Sequence, residues 1–476
     1  MQEDKVGDAG AFGFRGFLRA RRLKILVILL LALAVRVGFI AAGVGHAGDP
    51  KYEPTAINIL EGHGFSTDTL PPYRPGEASA PAYPLFVACA YALFGRGVFS
   101  VALSQALLDL LTCLLVAYAS FSLAPARLKQ RAALSSMVIY GLFCWPTMVW
   151  LPFLLSEPLT LFFMMAAVAL CAVALREGTW WWCAAGAACG LAILTRPDSV
   201  LLASAFVLFL LARWAWRPAR AGALSVLGFC LAVAFTLAPW VVRNYVSLGK
   251  FQPLASEYAR ARDEYFPTGY LWWVRTWLKD ETYFDLAFYP AWFPETTSVD
   301  PGQLPREAYD SEEERQRLAD LFARYNRERF ITPELDQEFR SLGNERIRRA
   351  PLRFFLLLPL YRAACLWLTG FSTSHPTPYL LILRVLSVLP IHLGGALGLA
   401  LWCRRQPLAA LLLLIVLVRT LFFAYHYAPE TRYMAEVYPP VVAACGVTAA
   451  AVWSYVNRVG AKLIPARGRE ESGEPA

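Results

Sequence analysis

The chain has 476 residues, of which 57% are hydrophobic and 17% charged, and a formal net charge of +9. A single water-soluble core stops growing at roughly 250 to 300 residues, and soluble chains carry nearer ~25% charged residues to cover their surface. Those figures exclude a cytosolic globular protein, a disordered chain and a disulfide scaffold. They leave a helical membrane protein, because apolar runs near ~20 residues recur and only helices or closed barrels satisfy their backbone in lipid.

In chain order the apolar runs fall at about 24–44, 98–123, 132–150, 153–175, 180–195, 198–213, 221–241, 379–402, 407–425 and 434–456. They predict an all-α polytopic membrane protein with about ten transmembrane helices. Arg15, Arg19, Arg21, Arg22 and Lys24 precede the first run, which places the N-terminus in the cytoplasm, and the run is too long for a cleaved signal peptide. Alternating from there, the inner loops hold Arg127, Lys129 and Arg131, then Arg176, then Arg213, Arg217 and Arg220, then Arg404 and Arg405, and last the tail around Arg458 and Lys462. A plasma (inner) membrane protein with both termini cytoplasmic is expected. Residues 352–370 would add an eleventh span, but Arg404 and Arg405 would then lie outside. An interfacial helix with Arg353 and Arg362 snorkelling to water is preferred.

This divides the chain into an N-terminal transmembrane module (1–241) with a first outer loop at 45–97, an extracytoplasmic loop domain (242–352), an interfacial helix with the C-terminal spans (353–456), and a basic tail (457–476). Between 242 and 350 there are 16 Lys or Arg and 19 Asp or Glu, so that domain is nearly neutral. The net +9 therefore follows topology and gives no support for a nucleic-acid partner. All ten cysteines fall in apolar stretches without a CxxC pair, as small buried hydrophobes.

Ionisable groups in or beside a bilayer are costly, so each is a functional candidate. Asp49 follows directly on the first span; it is either a general base at the membrane surface or an N-cap before Pro50. Arg74, in the closing part of the same loop, is either a phosphate clamp or an interfacial anchor. Arginines also stand at three further outer ends, in Thr195-Arg196-Pro197-Asp198, Pro239-Trp240-Val241-Val242-Arg243-Asn244-Tyr245 and Pro429-Glu430-Thr431-Arg432-Tyr433. They either share an anionic ligand or pair with neighbours such as Asp198 and Glu430. Glu157, in Ser156-Glu157-Pro158, either bonds sugar hydroxyls or an arginine, or is a turn residue at a helix start. Arg36, Asp109, Arg384 and Arg419 lie within spans and read as internal pairs or headgroup anchors. His46, Asp49 and His63 lack the tight His or Cys framework of a zinc site, so no metal is expected. No P-loop, GxGxxG after a strand, GxSxG or HExxH motif appears.

These residues resemble the integral-membrane glycosyltransferases of the GT-C class, in particular the bacterial relatives of dolichyl-phosphate-mannose protein mannosyltransferases and of the lipid A aminoarabinose transferase. The resemblance rests on Asp49 and Tyr52 with Ala56, Gly64 and Phe65 downstream, and on Ala80-Pro81-Ala82-Tyr83-Pro84-Leu85-Phe86. It rests further on Ser156-Glu157-Pro158, Thr195-Arg196-Pro197, the Pro239 to Tyr245 box with Gly249-Lys250-Phe251, and Glu430-Thr431-Arg432-Tyr433. It implies a GT-C helical bundle that moves a sugar, with inversion, from a polyprenyl-phosphate donor to a lipid, glycan or protein acceptor on the extracytoplasmic side, without a cofactor. Asp49 maps onto the family's base. Tyr52, Arg74, Glu157, Arg196, Arg243, Arg432 and Tyr433 are the expected substrate-binding residues. Two departures stand out: Pro50 follows Asp49 where relatives often carry a second acid, and Glu77-Ala78-Ser79-Ala80-Pro81 lacks the lysine that the aminoarabinose transferase type has before its prolines. The competing classes are a transporter or flippase of lipid-linked saccharide, for which no two-half repeat is visible, and an O-antigen ligase or polymerase type of enzyme, which the Asp49 pattern speaks against.

Overall fold

The computed structural model describes residues 13–43, 49–77, 79–255, 265–368 and 378–463. His46, Ala78 and the tail beyond 463, all part of the expectations above, lie outside the described residues, as does the side chain of Lys462. No strand occurs among the described residues. The helices of the first half are α1 (Phe14–Ala20), α2 (Arg22–Gly43), α3 (Tyr52–Leu60), α4 (Ala82–Phe94), α5 (Val98–Leu123), α6 (Lys129–Val138), α7 (Trp145–Met148), α8 (Glu157–Glu177), α9 (Trp181–Thr195), α10 (Val200–Trp216) and α11 (Arg220–Leu248). The second half holds α12 (Thr268–Val274), α13 (Phe284–Trp292), α14 (Glu312–Glu328), α15 (Pro333–Arg349), α16 (Leu358–Leu368), α17 (Pro378–Trp402), α18 (Pro407–Tyr425) and α19 (Tyr438–Leu463).

Eight described helices are long and apolar enough to cross a membrane: α2, α5, α8, Pro197–Trp216, α11, Ile382–Trp402, α18 and Thr431–Val459. Two of the expected runs differ. The run at 132–150 is not one helix, because α6 passes into a π-helical turn at Ile139–Phe143, breaks at Cys144 and resumes as the four residues of α7. The π turn has a cause: it leaves the Gly141 carbonyl free to accept from Arg36 Nη1 at 2.9 Å. The run at 180–195 is α9, whose 15 residues span about 22 Å, short of a ~30 Å hydrocarbon core. Its Gly186 and Gly190 let α11 approach so closely that an added Cβ would lie 2.4 Å from the Phe229 carbonyl oxygen and 2.7 Å from Thr236 Cβ.

Burial grades the bundle. The Thr431–Val459 span is 78% buried and α8 67%, whereas α2 is 22% and α11 11% buried, with Phe235 and Val246 on its outward surface. Cys89, Cys183 and Cys230 are likewise exposed rather than buried. α11 continues as one helix to Leu248 with Pro239 inside it, so the division expected at 241/242 crosses a helix. Arg36 is fully buried and donates to Asp109 Oδ2 from Nε at 2.8 Å, while the Tyr140 hydroxyl donates to Asp109 Oδ1 at 2.5 Å; this is the internal pair expected for both. At one end of the bundle the basic loops meet, through Arg21 with Gln130, Arg131 with Ser454 and Arg176 with the Ser122 carbonyl.

Beyond the spans, α12 to α15 build a second core around Tyr270, Trp273, Phe322 and Phe339. Ser311 and Thr332 cap α14 and α15 by accepting backbone N–H bonds, as their sequence positions favour. Asp336 accepts from the N–H groups of Gly269 and Tyr270 at 2.9 and 2.7 Å, which fixes the start of α12 on α15. The segment Arg353–Leu368 turns away from α15 at 97°. Its arginines do not snorkel as expected. Arg362 is buried and donates to the carbonyls of Arg275 and Leu278, which lie beyond the last helical bonds of α12, and Arg353 makes a two-pronged bond to Asp310. Orphan carbonyls and a facing carboxylate give these guanidinium groups better partners than interfacial water.

Candidate active site

At the end of the bundle opposite the basic loops, a cavity of about 160 Å³ is lined by Asp49, Tyr52, Glu157, Arg196, Arg432 and Tyr433. These are six of the eight residues expected to act. Their convergence follows from local breaks in the helices. Residues 149–156 form an irregular strap rather than a tight turn, and Gln105 Nε2 holds it by donating to the carbonyls of Leu151 and Phe153 at 2.9 Å each. The strap in turn accepts the Asp49 N–H at the Leu154 carbonyl (3.2 Å) and ends at Glu157, the first residue of α8. A carboxylate there faces the positive end of the helix. Pro197 ends α9, so Arg196 is extended (φ −141°, ψ 123°) and Asp198 enters a short turn before α10. Arg432, Tyr433 and Glu436 sit on the 3-10 turn Thr431–Val437 that opens the last described span.

The charges form one network. Arg196 contacts Glu157 at 2.6 Å, Asp198 at 3.1 Å and Glu436 at 3.5 Å. Arg419 contacts Asp198 at 2.8 Å and Glu436 at 2.7 Å. Arg432 is held more loosely, 3.4 Å from Glu157 and 3.3 Å from Glu430, and the Tyr433 hydroxyl donates to Glu430 at 2.7 Å. The expectation of neighbour pairing at Asp198 and Glu430 and of an internal pair at Arg419 is met by this network. Two buried atoms beside the cavity, Ser79 Oγ and Glu157 Oε2, have no hydrogen-bond partner among the described residues. Buried polar atoms are normally satisfied, so their convergence marks a place for a polar ligand.

Asp49 stands apart from the arginines. Its carboxylate meets Lys51 Nζ at 3.0 Å and keeps 30% of its side-chain exposure, so it is the most open carboxylate of the cavity. α3 starts at Tyr52 with Lys51 at its cap position, so Asp49 is not the cap residue itself, but its Oδ1 accepts the Lys51 N–H at 3.3 Å in the turn that leads into the helix. Pro50 lies in the turn before the helix. Tyr52 is buried with its ring edge-on to Tyr83 at 4.6 Å, and burial pushes its phenol up from the ordinary value, opposed by the nearby Lys51 charge. Tyr52 therefore stays a neutral hydroxyl.

Two expected residues are elsewhere. Arg74 is exposed on the first loop, where its N–H donates to Asp68 Oδ2 at 2.8 Å, and it does not line the cavity. Arg243 spends its guanidinium on the carbonyls of Gly76 (2.8 Å) and Phe65 (3.1 Å) and lies over the Trp240 ring, 4.8 Å from its centroid. Its neighbour Asn244 donates to the carbonyls of Gln252 and Leu254. Since Ser79, Ala80 and Ala255 line the cavity, the end of α11 ties together two of its walls. Lys250 adds a 2.6 Å bond to Glu77. Glu436 was invisible in the sequence because it falls inside an apolar run; its signal is a carboxylate three residues past Tyr433, on the same helical face. Lys51 shows no motif at all, and its role follows from its distance to Asp49. His63 stacks on Tyr73 at 3.8 Å, away from the cavity lining.

Residues 78–241, roughly a third of the chain, match the model of the dolichyl-phosphate-mannose-protein mannosyltransferase family. No curated protein matches the chain. Among solved structures, the oligosaccharyltransferase of Archaeoglobus fulgidus tethered with an acceptor peptide is similar over 94% of this chain and 52% of its own, with 14% identity and a TM-score of 0.52. The same organism's AglB in complex with an inhibitory peptide and a dolichol-phosphate gives 15% identity and a TM-score of 0.53 over the same shares. ArnT from Cupriavidus metallidurans bound to undecaprenyl phosphate aligns over 92% of this chain and 81% of its own at 17% identity, with a TM-score of 0.37. The chain thus spans about half the length of the oligosaccharyltransferases, and its likeness to them is one of fold: an all-helical, polytopic GT-C bundle. The family model and this fold bear out the resemblance carried by the motifs.

Proposed function

We propose that this protein is a GT-C membrane glycosyltransferase that moves a sugar from a polyprenyl-phosphate donor to an acceptor, with inversion and with Asp49 as general base. The observation that carries the proposal is the cavity itself. It sets one accessible carboxylate, Asp49, in the same cavity as the ion-paired Arg196 and Arg432, with Ser79 Oγ and Glu157 Oε2 lacking a partner among the described residues. In the step proposed, an acceptor hydroxyl attacks the anomeric carbon from the face opposite the lipid phosphate. Asp49 takes the hydroxyl proton as the new C–O bond forms, and the bond to the phosphate oxygen breaks. The polyprenyl phosphate leaves as an anion, for which Arg432 is the loosest-held cation in the cavity. Glu157 Oε2 accepts from a sugar hydroxyl. Arg74 and Arg243 are not assigned to the donor.

Orientation is part of the proposal. The basic loops at the opposite end favour the cytoplasm for that side, with both termini there and the cavity and the α12–α15 helices on the extracytoplasmic side of the plasma membrane. Asp49→Asn is the test. Transfer should fall roughly 10²- to 10⁴-fold while expression and donor binding stay normal, and membranes of cells carrying it should accumulate the lipid-linked sugar. Near-normal turnover by this variant would remove Asp49 as base, and an unchanged lipid profile would remove the transferase reading.

A further inference from the structure

A second cavity, of about 410 Å³, opens among α13 and the segment that follows it, and the network above does not use it. It is lined among others by Thr282, Tyr283, Asp285, Tyr289, Thr297 and Gln303. Its chemistry narrows the ligand. Among the described residues no lysine or arginine lines it, so it does not suit a phosphate. One carboxylate, Asp285, is too few for a cation site. Leu286 and Val299 add aliphatic surface to the lining, but its hydroxyls, carboxamide and carboxylate would lose water to a wholly apolar ligand without gaining partners. What remains is a neutral ligand with many hydroxyls. Two phenols add flat faces: Tyr289 is exposed and packed edge-on to Phe293 at 5.5 Å. The volume lies within the range of small-molecule sites.

Position gives the second observation. Glu281, next to Thr282, accepts from both the N–H and the hydroxyl of Thr431, the latter at 2.8 Å. Thr431 is followed by Arg432, which lines the first cavity. One residue step on each side of that carboxylate therefore joins the two cavities.

We infer that the cavity around Tyr283, Asp285 and Tyr289 is a docking site for a neutral saccharide portion of the acceptor, beside the cavity in which transfer is proposed to occur. The inference rests on the glycosyltransferase reading for the word acceptor, and on the cavity alone for the word saccharide. Saturation-transfer NMR on the full chain in nanodiscs, with methyl α-mannoside, methyl β-glucoside and methyl N-acetyl-β-glucosaminide as probes, reads binding without turnover. At least one glycoside should receive saturation. Tyr289→Ala should weaken that signal at least about fivefold with an unchanged melting temperature, and Asp49→Asn should leave it intact. Asp285→Asn serves as a second variant should Tyr289→Ala fold poorly. The proposal is overturned if no glycoside receives saturation, or if the signal survives both Tyr289→Ala and Asp285→Asn. It is also overturned if Asp49→Asn alone removes the signal, because the sugar would then sit in the first cavity and the transferase reading would stand without this one.

Discussion

Arg196 and Arg432 come from motifs of equal rank, yet their surroundings separate them. Arg196 is enclosed by three carboxylates, with its nearest contact at 2.6 Å, and its removal leaves Glu157 and Asp198 short of a partner in a buried place. Breaking a buried pair on one side costs about 3–5 kcal/mol. Arg196→Ala should therefore lower the melting temperature of the purified protein and reduce its yield, before any effect on chemistry can be read. Arg432, with contacts no shorter than 3.3 Å, is held loosely enough to turn donors to a ligand. Arg432→Ala should keep the fold, and the KM for a polyprenyl-phosphate donor should rise at least tenfold, the loss of about one charge-assisted bond. Thermal melts and donor titration of the two variants side by side check both; a melt for Arg432→Ala as low as that for Arg196→Ala would make it a structural residue. At this scale the sequence showed which residue types cluster at the outer ends. It did not show that Arg243 serves backbone carbonyls, because carbonyl partners have no letter in a sequence, nor that Glu436 completes the network, because an apolar run hid it.

Among the elements, the end of α11 has the clearest mechanical task. Arg243 and Asn244, adjacent in sequence, reach the loop at Phe65–Gly76 and the segment at Gln252–Leu254 respectively. A donor-binding arginine and a clasp make different forecasts. If Arg243 clasps the loop, Arg243→Ala should reduce transfer with donor and acceptor affected alike, and hydrogen exchange of residues 61–77 should speed up. A selective loss of donor affinity with unchanged exchange would restore the donor role. Long apolar runs were legible as spans because lipid imposes one simple rule on them. The π turn at Ile139–Phe143 and the strap at 149–156 were not, because the side chains that bond their carbonyls, Arg36 to Gly141 and Gln105 to Leu151 and Phe153, are remote in sequence.

For the whole molecule, the α12–α15 helices form the part outside the spans, and their acids respond to pH. The Lys279 bond holds the Glu307 carboxyl below its ordinary value. Burial pushes Asp310 up, but the Arg353 bond and the Arg346 charge outweigh it and hold this carboxyl below its ordinary value too. Both are more acidic in the folded protein than in the unfolded chain, where carboxyls titrate near about 4. The stability they add is therefore full above that value and is lost as pH falls through the lower folded one. Hydrogen exchange in α14 and α15, divided by the intrinsic amide rate at each pH, should be flat from neutral to about pH 5 and should rise below about pH 4. Asp310→Asn should flatten that rise, and a variant with the same acid response would show that other groups cause it.

The burial gradient has a consequence in time. The span most enclosed by its neighbours, Thr431–Val459, is also the last of the described spans to leave the ribosome, and it carries Arg432, Tyr433 and Glu436 with it. Until it inserts, Glu157 lacks Arg432, and Arg196 and Arg419 lack Glu436. A chain made only up to α18 thus has part of its core and part of its charge network until that span arrives. Before then the cavity has no Arg432 or Tyr433 in its lining, so its last wall is built only when synthesis of the spans is complete.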